Sequence, residues 1–466
     1  MHLLITQLSS TRECNSCFCI RQSWLLVHLR FMLVMELFTL SVGLQMPMDT
    51  ICAPELRFKG GLAHVTSPSQ PAMELLRAPL THALNAATVH DLAQLLAREE
   101  HRVDGLELLK ADLPHHWSDA ELAELQWQPL VAAAARRRRD LELASPPDGV
   151  SHADFVHAID VATCHGLDLD GQLWLWPATG LFRRSAPHGA VLSTEGNEIV
   201  LRTDGAAASA PRVQPGSGRK AASATSRDPI DKDTASAVSG DSVFEVTLSS
   251  GWRSNAHLLL SQGWASASLE CDAVEVDETM MLSAAQTVLE ASQQLRQKQL
   301  AVIAGLRRFG YLSDASDGQS GCSIFAGGYA CDSLGRYLQA LSLSEDELRT
   351  FGEGGCTINI GESVPISCDH ERRVGQVLSQ LCGGLLAESA TSATEDEAIL
   401  HALERASTGL DARATHTDRV RACVHARLSR KRALSSCRER ADAWVQRPTA
   451  MASLRRPWRV SIRTSG

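Results

Sequence analysis

The chain has 466 residues, 44% of them hydrophobic, with 45 Lys and Arg against 54 Asp and Glu and a formal net charge of −9. This length suits two or three domains with apolar cores. The composition excludes a wholly disordered, collagen-like or generally basic nucleic-acid-binding chain. Because the three tyrosines, Tyr311, Tyr329 and Tyr337, all lie beyond residue 300, chemistry in the preceding part of the chain must proceed without a phenol.

Residues 24–44 are the most hydrophobic stretch and have about the length of a bilayer span. Arg30 and Glu36 interrupt it, and a charge at mid-membrane costs about 2.5–3.5 kcal/mol. A buried leading helix or a wrongly assigned upstream start is favoured over a signal anchor or organelle presequence. As a domain division, residues 1–36 are interpreted as a targeting or disordered N-terminus. We expect no membrane association and a cytoplasmic or nuclear location, or a plastid or mitochondrial one if these residues are a presequence.

The thirteen cysteines are odd in number and widely spread, which favours reduced, mostly buried thiols over a disulfide framework. Cys14, Cys17 and Cys19 are close enough for a metal clip, but no second pair of ligands follows at suitable spacing. His115 and His116 are interpreted as surface or satisfied core residues. The sequence therefore predicts no metal site.

The first predicted elements are helices. The pattern is helical over 81–102, and Ser118 with Glu121 three residues later predicts a capping box. The run Arg136–Arg139 follows four alanines, which predicts a solvated helix surface, with a phosphate-binding patch as the alternative. Residues 151–167 are typical of another helix.

Shorter apolar runs over 172–203 and 243–248 predict strands. Between them, residues 205–240 are rich in Ala, Ser, Gly, Pro and Asp and predict a flexible insertion, because they bury too little surface to offset their ordering entropy. From about residue 283 the chain is strongly helical, and 391–400 has the pattern of a capped helix start, with Thr394 before three acids.

Residues 411–466 contain 14 Lys and Arg and four acids, a net charge of +10. The preceding residues must then total −19. A basic tail can bind acidic partners or nucleic acid, but a soluble, frayed terminus is favoured because few aromatic residues are interleaved with the charges. No nucleic-acid partner is expected.

Several motifs, in chain order, carry a resemblance to a known family. KGGLAHV (59–65) is similar to the Gly-rich segment that opens the SET fold, LPHHWSDAELAEL (113–125) looks like its helical insert, and FVHAIDVATCHGL (155–167) is similar to a helix that ends in Ser-Arg. SSGWRSNAHLLLSQGW (249–264) closely resembles a Tyr-Gly-x-x-Ser-Asn-x-x-Leu-Leu-x-x-Tyr-Gly-Phe segment. The chain thus resembles the SET-domain protein-lysine methyltransferases of the Rubisco large-subunit methyltransferase class.

The resemblance extends into the helical half, where 334–349, 391–400 and 427–434 fall at characteristic helices of the family's substrate-binding domain. It implies an α+β fold, in which a β-rich SET-like domain with an inserted helical subdomain is followed by an all-α substrate-binding domain. The expected divisions are an N-terminus 1–36, a SET-like domain 37–270 with a helical insert at about 81–167 and an insertion 205–240, a helical domain 283–445 and a basic tail 446–466.

The resemblance also implies a reaction, the transfer of a methyl group from S-adenosyl-L-methionine (AdoMet) to a lysine of a protein substrate. The catalytic Tyr of the family stands just before the Gly of the Ser-Asn segment, and Ser250 takes that position here. The shorter serine side chain does not reach the same point. Ser254, Asn255 and Trp264 are the expected substrate-binding residues.

Residues on the AdoMet side also depart from the family pattern. Arg183 and Arg184 fall where the family has Asn-His, and His165 stands where the helix ends in a carboxylate-binding Arg. Two guanidiniums only donate hydrogen bonds and add positive charge beside a sulfonium. The segment Gly60-Gly61-Leu62 remains permissive for cofactor approach.

The sequence therefore leaves two functions of different classes open. The first is a lysine N-methyltransferase that uses AdoMet at a degenerate site, and the second is an inactive SET-like pseudoenzyme that binds a protein client through its helical C-terminal domain. A helical interaction protein with an accidental likeness is a third, simpler interpretation. We expect a monomer with a protein partner.

Overall fold

The structure, a computed structural model, describes 51–53, 56–59, 62–65, 73–98, 109, 111–185, 190–203, 244–245, 247–249, 253–266, 272–312, 321–350, 360–361, 365–406 and 414–446. Its bounded α-helices are α1 (Val89–Ala97), α2 (Asp119–Ala123), α3 (Gln128–Glu142), α4 (His152–His165), α5 (Asn255–Gln262), α6 (Glu278–Leu289), α7 (Gln293–Arg308), α8 (Asp332–Leu341), α9 (Cys368–Ala387), α10 (Ala393–Ala406) and α11 (Ala414–Val445). Its strands are β1 (Ile51–Cys52), β2 (Leu56–Lys59), β3 (Leu62–Val65), β4 (Glu74–Pro79), β5 (Leu84–Ala86), β6 (Leu167–Leu169), β7 (Gln172–Leu175), β8 (Arg183–Ser185), β9 (Ala190–Glu195), β10 (Glu198–Thr203), β11 (Phe244–Glu245), β12 (Thr247–Ser249), β13 (Ala273–Glu275), β14 (Ser323–Phe325) and β15 (Tyr329–Ala330).

Some predicted features lie outside the described residues. These are the hydrophobic stretch 24–44, the insertion 205–240, most of the tail 446–466, and Cys14, Cys17 and Cys19. Within the described residues, no helix combines the length and the apolar character that a membrane crossing requires.

The chain divides into two compact units. The first comprises 1–110, 167–183 and 190–248, and the second comprises 111–166, 184–189 and 249–466.

Strands of a six-stranded sheet, in the order β1-β4-β10-β9-β12-β8, supply most of the apolar core of the first unit. β10 runs antiparallel to both β4 and β9, whereas β12 is parallel to β9, with Leu248 opposite Ala190. The inward residues Leu75, Ile199 and Leu201 are buried with Trp176. Two three-stranded sheets, β11-β3-β2 and β5-β7-β6, complete the described strands of this unit.

Helices α6, α9 and α11 form the centre of the second unit. α9 and α11 approach closely at Gly375, where an added Cβ would lie 2.9 Å from Val445 Cγ2. A small residue at this point lets two long helices bury a shared apolar face. The core also includes Trp117 and Tyr337. A three-stranded sheet, β13-β14-β15, belongs to the same unit.

Local sequence signals agree with the structure at several helix starts. Ser118 Oγ accepts a hydrogen bond from the Glu121 backbone N–H, and a Glu121 carboxylate oxygen accepts one from the Ser118 N–H, so the predicted capping box is confirmed. Ser151 caps α4 within the predicted helix 151–167. The predicted strands at 172–203 and 243–248 are also present.

Other local predictions need correction. The stretch 81–102 is helical only in part, because Leu84–Ala86 pairs as β5 with β7 before α1 begins. α10 begins after Ser392, whose Oγ accepts from the Glu395 N–H, so Thr394 is not its cap. β14 and β15 lie inside the half predicted to be all-helical, where the short hairpin carries too few residues to show an alternating pattern.

Candidate functional site

The predicted substrate-binding residues Ser254 and Asn255 lie at the start of α5. Ser254 caps the helix, its Oγ accepting from the His257 N–H. The buried Asn255 amide donates to Ser266 O at 2.8 Å and to Asp272 Oδ2 at 2.7 Å, and its carbonyl oxygen accepts from the Ser266 N–H. These bonds hold the loop after α5 in place.

Asp272 connects α5 with the long helix α11. Its carboxylate accepts hydrogen bonds from the Asn255 and Ala273 backbone N–H groups and from the Ser429 hydroxyl. Burial raises the pKa of Asp272, although these hydrogen bonds oppose the shift. Asn255 and Asp272 together therefore fix where the Ser-Asn motif lies in the second unit.

The Gly-Trp pair that follows α5 sits in a tight turn. Gly263 ends the helix in the left-handed region at φ +72°, and a Cβ there would lie 2.1 Å from Asp112 O. Trp264 is half-buried, and its ring N–H donates to Gln262 Oε1 at 3.0 Å. The turn places the predicted substrate-binding Trp264 directly beside the end of α5.

The C-terminal end of α4 carries Cys164 and His165, where the family pattern has Ser-Arg. The Cys164 thiol is buried and lies 3.9 Å from Gln262 O at the end of α5. Burial raises the pKa of Cys164 to about 11, so the thiol stays protonated at neutral pH. Cys164 is therefore an inert packing residue between α4 and α5.

Arg184 of β8 extends toward the same end of α4. One guanidinium nitrogen, Nη2, donates to His165 O at 3.4 Å. The other, Nη1, is buried and has no hydrogen-bond partner among the residues that the structure describes. Burial lowers the pKa of Arg184 to about 10, and Arg253 adds to the shift. At pH 7 Arg184 remains charged, with a donor free for an anionic group.

The remaining predicted site residues are only partly described. Gly60, Gly61 and Ser250 lie outside the described residues, and Leu62 and Arg183 are described by their backbone in β3 and β8 but not by their side chains. Of the predicted AdoMet-side residues, the structure brings together His165 and Arg184.

A second cluster, which the sequence did not predict as a site, lies within 111–166. His115 and His116, at the end of a 3₁₀ turn (Pro114–His116), both contact Asp160 of α4 through Nε2, at 2.9 Å and 2.5 Å. Burial opposes ionisation of Asp160, but the contacts with the two histidines outweigh it and lower the Asp160 pKa. The pair His115-His116 was the only available sequence signal, since Asp160 is more than forty residues away.

Comparisons with known proteins support the family resemblance. Residues 279–434 match the family model described as Rubisco LSMT substrate-binding. The crystal structure of the SET domain of LSMT bound to lysine and AdoHcy is similar to the chain, with a TM-score of 0.51, 15% identity, and coverage of 87% of this chain and 89% of that chain. The structure of Rubisco LSMT bound to AdoMet gives a TM-score of 0.51 and 16% identity, covering 87% and 90%. No curated protein sequence matches the chain.

The chain therefore has the α+β fold of the LSMT SET-domain structures, with a helical C-terminal half. Residues 279–434 of this half are similar to the Rubisco LSMT substrate-binding domain.

Proposed function

We propose that the chain binds AdoMet and acts as a SET-domain protein-lysine N-methyltransferase with an altered site. The fold and the match of 279–434 support the class of protein. The observation that carries the proposal at the level of residues is Arg184, whose buried Nη1 has no hydrogen-bond partner among the described residues and lies beside the end of α4. We therefore expect the carboxylate of AdoMet to be bound there.

Arg184 makes up for the arginine that the end of α4 lacks. The family resemblance places a carboxylate-binding Arg at position 165, where this chain has His165, whose imidazole carries no permanent charge. The Arg184 guanidinium, which comes from β8, donates to the backbone carbonyl of His165 and keeps a permanent positive charge at this point. AdoMet, when bound, supplies a methyl group activated by its sulfonium.

The chain's own residues set how well a lysine is positioned. A methyl transfer needs an uncharged amine held in line with the reacting carbon, and most of the rate comes from positioning. Ser250 stands where the family has its Tyr and is too short to wall the same channel. Slow methyl transfer is therefore expected, with the helical half 283–445 binding the protein client.

AdoMet binding is tested by isothermal titration with the full chain and two Arg184 variants. Wild-type protein is expected to bind AdoMet. Arg184→Met, which removes a charged hydrogen bond worth about 1.5–3 kcal/mol, should weaken binding roughly 10- to 100-fold. Arg184→Lys should fall between the two, and Arg136→Met, at an exposed arginine of α3, serves as the control. Wild-type binding that Arg184→Met leaves unchanged would contradict the role of Arg184.

A specific observation favours a second function, a pseudoenzyme that docks a protein client. No tyrosine precedes Tyr311, so the phenol of the family is missing from the whole SET-like part of the chain. Methyl transfer by wild type and by Ser250→Tyr, with Ser250→Phe as the control without a hydroxyl, separates the two functions. If AdoMet neither binds nor is consumed by wild type or by Ser250→Tyr, the pseudoenzyme replaces the methyltransferase.

A further inference from the structure

We propose that His115, His116 and Asp160 form a binding site for a divalent transition-metal ion of the zinc type. The three residues come from two elements of the second unit, the 3₁₀ turn Pro114–His116 and the middle of α4. Their ligand atoms all lie within 4.8 Å of one another, and no other such group of His, Cys, Asp and Glu is found within the described residues. The cluster contains none of the residues assigned to the proposed AdoMet site.

The ligand atoms lie somewhat closer together than in a formed zinc site. Zinc binds imidazole nitrogen and carboxylate oxygen at about 2.0–2.2 Å, so two ligands of a tetrahedral site lie roughly 3.3 Å apart. The separations of His115 Nε2 and His116 Nε2 from the Asp160 oxygens are 2.9 Å and 2.5 Å. An opening of less than about 1 Å would admit the ion.

Hydrogen bonding leaves part of the cluster unsatisfied. His115 Nε2 and Asp160 Oδ1 lie 2.9 Å apart, yet neither atom makes a hydrogen bond of acceptable geometry to any described residue. Both side chains are only 3% exposed. A buried carboxylate oxygen and a buried ring nitrogen that contact only each other are poorly satisfied, and one cation between them would bind both.

The turn that carries the histidines is held rigidly. The Arg138 guanidinium donates to His115 O at 2.9 Å and to Trp117 O at 2.7 Å, so it clamps the backbone on either side of His116. Trp117 is itself buried in the core. Ligands on a fixed backbone lose little conformational entropy when the ion binds.

The cluster borders a cavity that gives the ion access. The cavity has a volume of about 770 Å³, and its lining includes His152, His157 and Glu142 besides the cluster itself. The His116 side chain is 43% exposed and forms the entrance side. A fourth coordination position is therefore open for water or for a donor group of a ligand in the cavity.

The donor set selects the class of metal. Two imidazoles and one carboxylate suit zinc, cobalt or nickel, whereas calcium and magnesium prefer sites made of oxygen alone. Cobalt(II) is a useful probe, because the ion absorbs visible light strongly when only four or five ligands bind it. The spectrum then depends on the nitrogen and oxygen donors.

The test treats the full chain with a chelator, removes the chelator, and adds zinc or cobalt ions one equivalent at a time. We expect one equivalent to bind and to raise the thermal unfolding midpoint by roughly 5 °C at saturation. Visible absorption by the cobalt form should saturate at the same ratio. Asp160→Asn and His115→Asn should abolish both signals.

His116→Asn provides a variant that is expected to fold, because its ring is partly exposed, and it should also lose the cobalt signal. His401→Asn is the matched control, since His401 is an exposed histidine of α10 paired with Glu404. The proposal is overturned if wild type shows no shift, or if folded His116→Asn, checked by circular dichroism, binds cobalt as wild type does.

Discussion

Single residues in the substrate-binding-like half form a buried group of charges around Asp396. The Asp396 carboxylate is fully buried and accepts hydrogen bonds from Arg427 Nε at 2.8 Å, Lys431 Nζ at 2.6 Å and the Thr391 hydroxyl at 2.8 Å. The Arg427 and Lys431 side chains are also almost fully buried. Burial lowers the pKa of Lys431, but its contact with Asp396 opposes the shift and favours the charged form. The two cations thus share one buried carboxylate, and Arg427 also pairs with the half-exposed Glu124 at 2.9 Å.

Replacement of Asp396 by Asn is expected to destabilise the protein strongly. The substitution keeps the shape of the side chain but removes the carboxylate that pairs with the buried Lys431, and it leaves Arg427 with only the half-exposed Glu124. Breaking a buried ion pair in this way costs about 3–5 kcal/mol. Urea unfolding of wild type and Asp396→Asn at pH 7 measures the loss.

The neighbouring Glu397 offers a matched control for this prediction. Glu397 pairs with Arg432 at 2.7 Å, but both side chains are about half exposed. Exposed pairs contribute about 0.2–1 kcal/mol, so Glu397→Gln should change the free energy of unfolding only slightly. Equal losses for the two variants would show that burial does not decide the strength of the Asp396 group.

At the scale of elements, the end of α5 depends on Gly263. Its left-handed φ costs a residue with a side chain about 1–2 kcal/mol. In addition, a Cβ would meet the Asp112 carbonyl at 2.1 Å, and a backbone atom cannot move aside cheaply. Gly263→Ala should therefore lower the free energy of unfolding by more than about 2 kcal/mol.

Gly149→Ala isolates the conformational part of that cost. Gly149 also has a positive φ, +82°, but an added Cβ would meet nothing within 4 Å. Its loss should stay near 1–2 kcal/mol, and chemical denaturation of both variants measures the difference. If Gly263→Ala were no more destabilising than Gly149→Ala, the close approach of the Asp112 carbonyl would have no energetic weight.

The sequence predicts contacts within one element better than contacts between elements. The capping box of Ser118 and Glu121 is visible in the sequence because its two partners lie within one helical turn. The contact of Arg184 with His165 and that of His116 with Asp160 join separate elements. Their geometry depends on how the two elements pack, and the residue pattern within either element does not predict this packing.

For the whole molecule, the motif order predicted the fold class, because several weak motifs in one order restrict the fold more than any single motif. The order could not show that β8 supplies Arg184 to the end of α4. Position-by-position comparison indicates that the positive charge at position 165 is lost, whereas the folded chain places another guanidinium at the carbonyl of that residue. A comparison of single positions cannot detect a charge that another strand brings to the same place.

In the sheet of the first unit, the strands β10 and β12, which precede and follow the segment 205–240 in the sequence, lie close together. β10 and β12 flank β9, and Thr203 and Leu248 both pair with Ala190, from opposite sides. The chain therefore leaves the sheet and returns to it about two strand spacings away, roughly 10 Å. A shorter connection can therefore replace residues 207–238, while β11 (Phe244–Glu245) and β12 are kept.

Removal of residues 207–238 is therefore expected to leave the sheet intact. The composition of this segment predicts no core of its own. Each halving of a loop's length reduces its closure cost by about 0.6 kcal/mol, so the shortened chain should be as stable as wild type or about 1 kcal/mol more stable. Thermal unfolding measures the effect, and replacement of 207–238 by a Gly-Ser segment of equal length separates composition from length. A fall of several degrees in both variants would mean that this segment packs on the folded protein, contrary to the prediction from its composition.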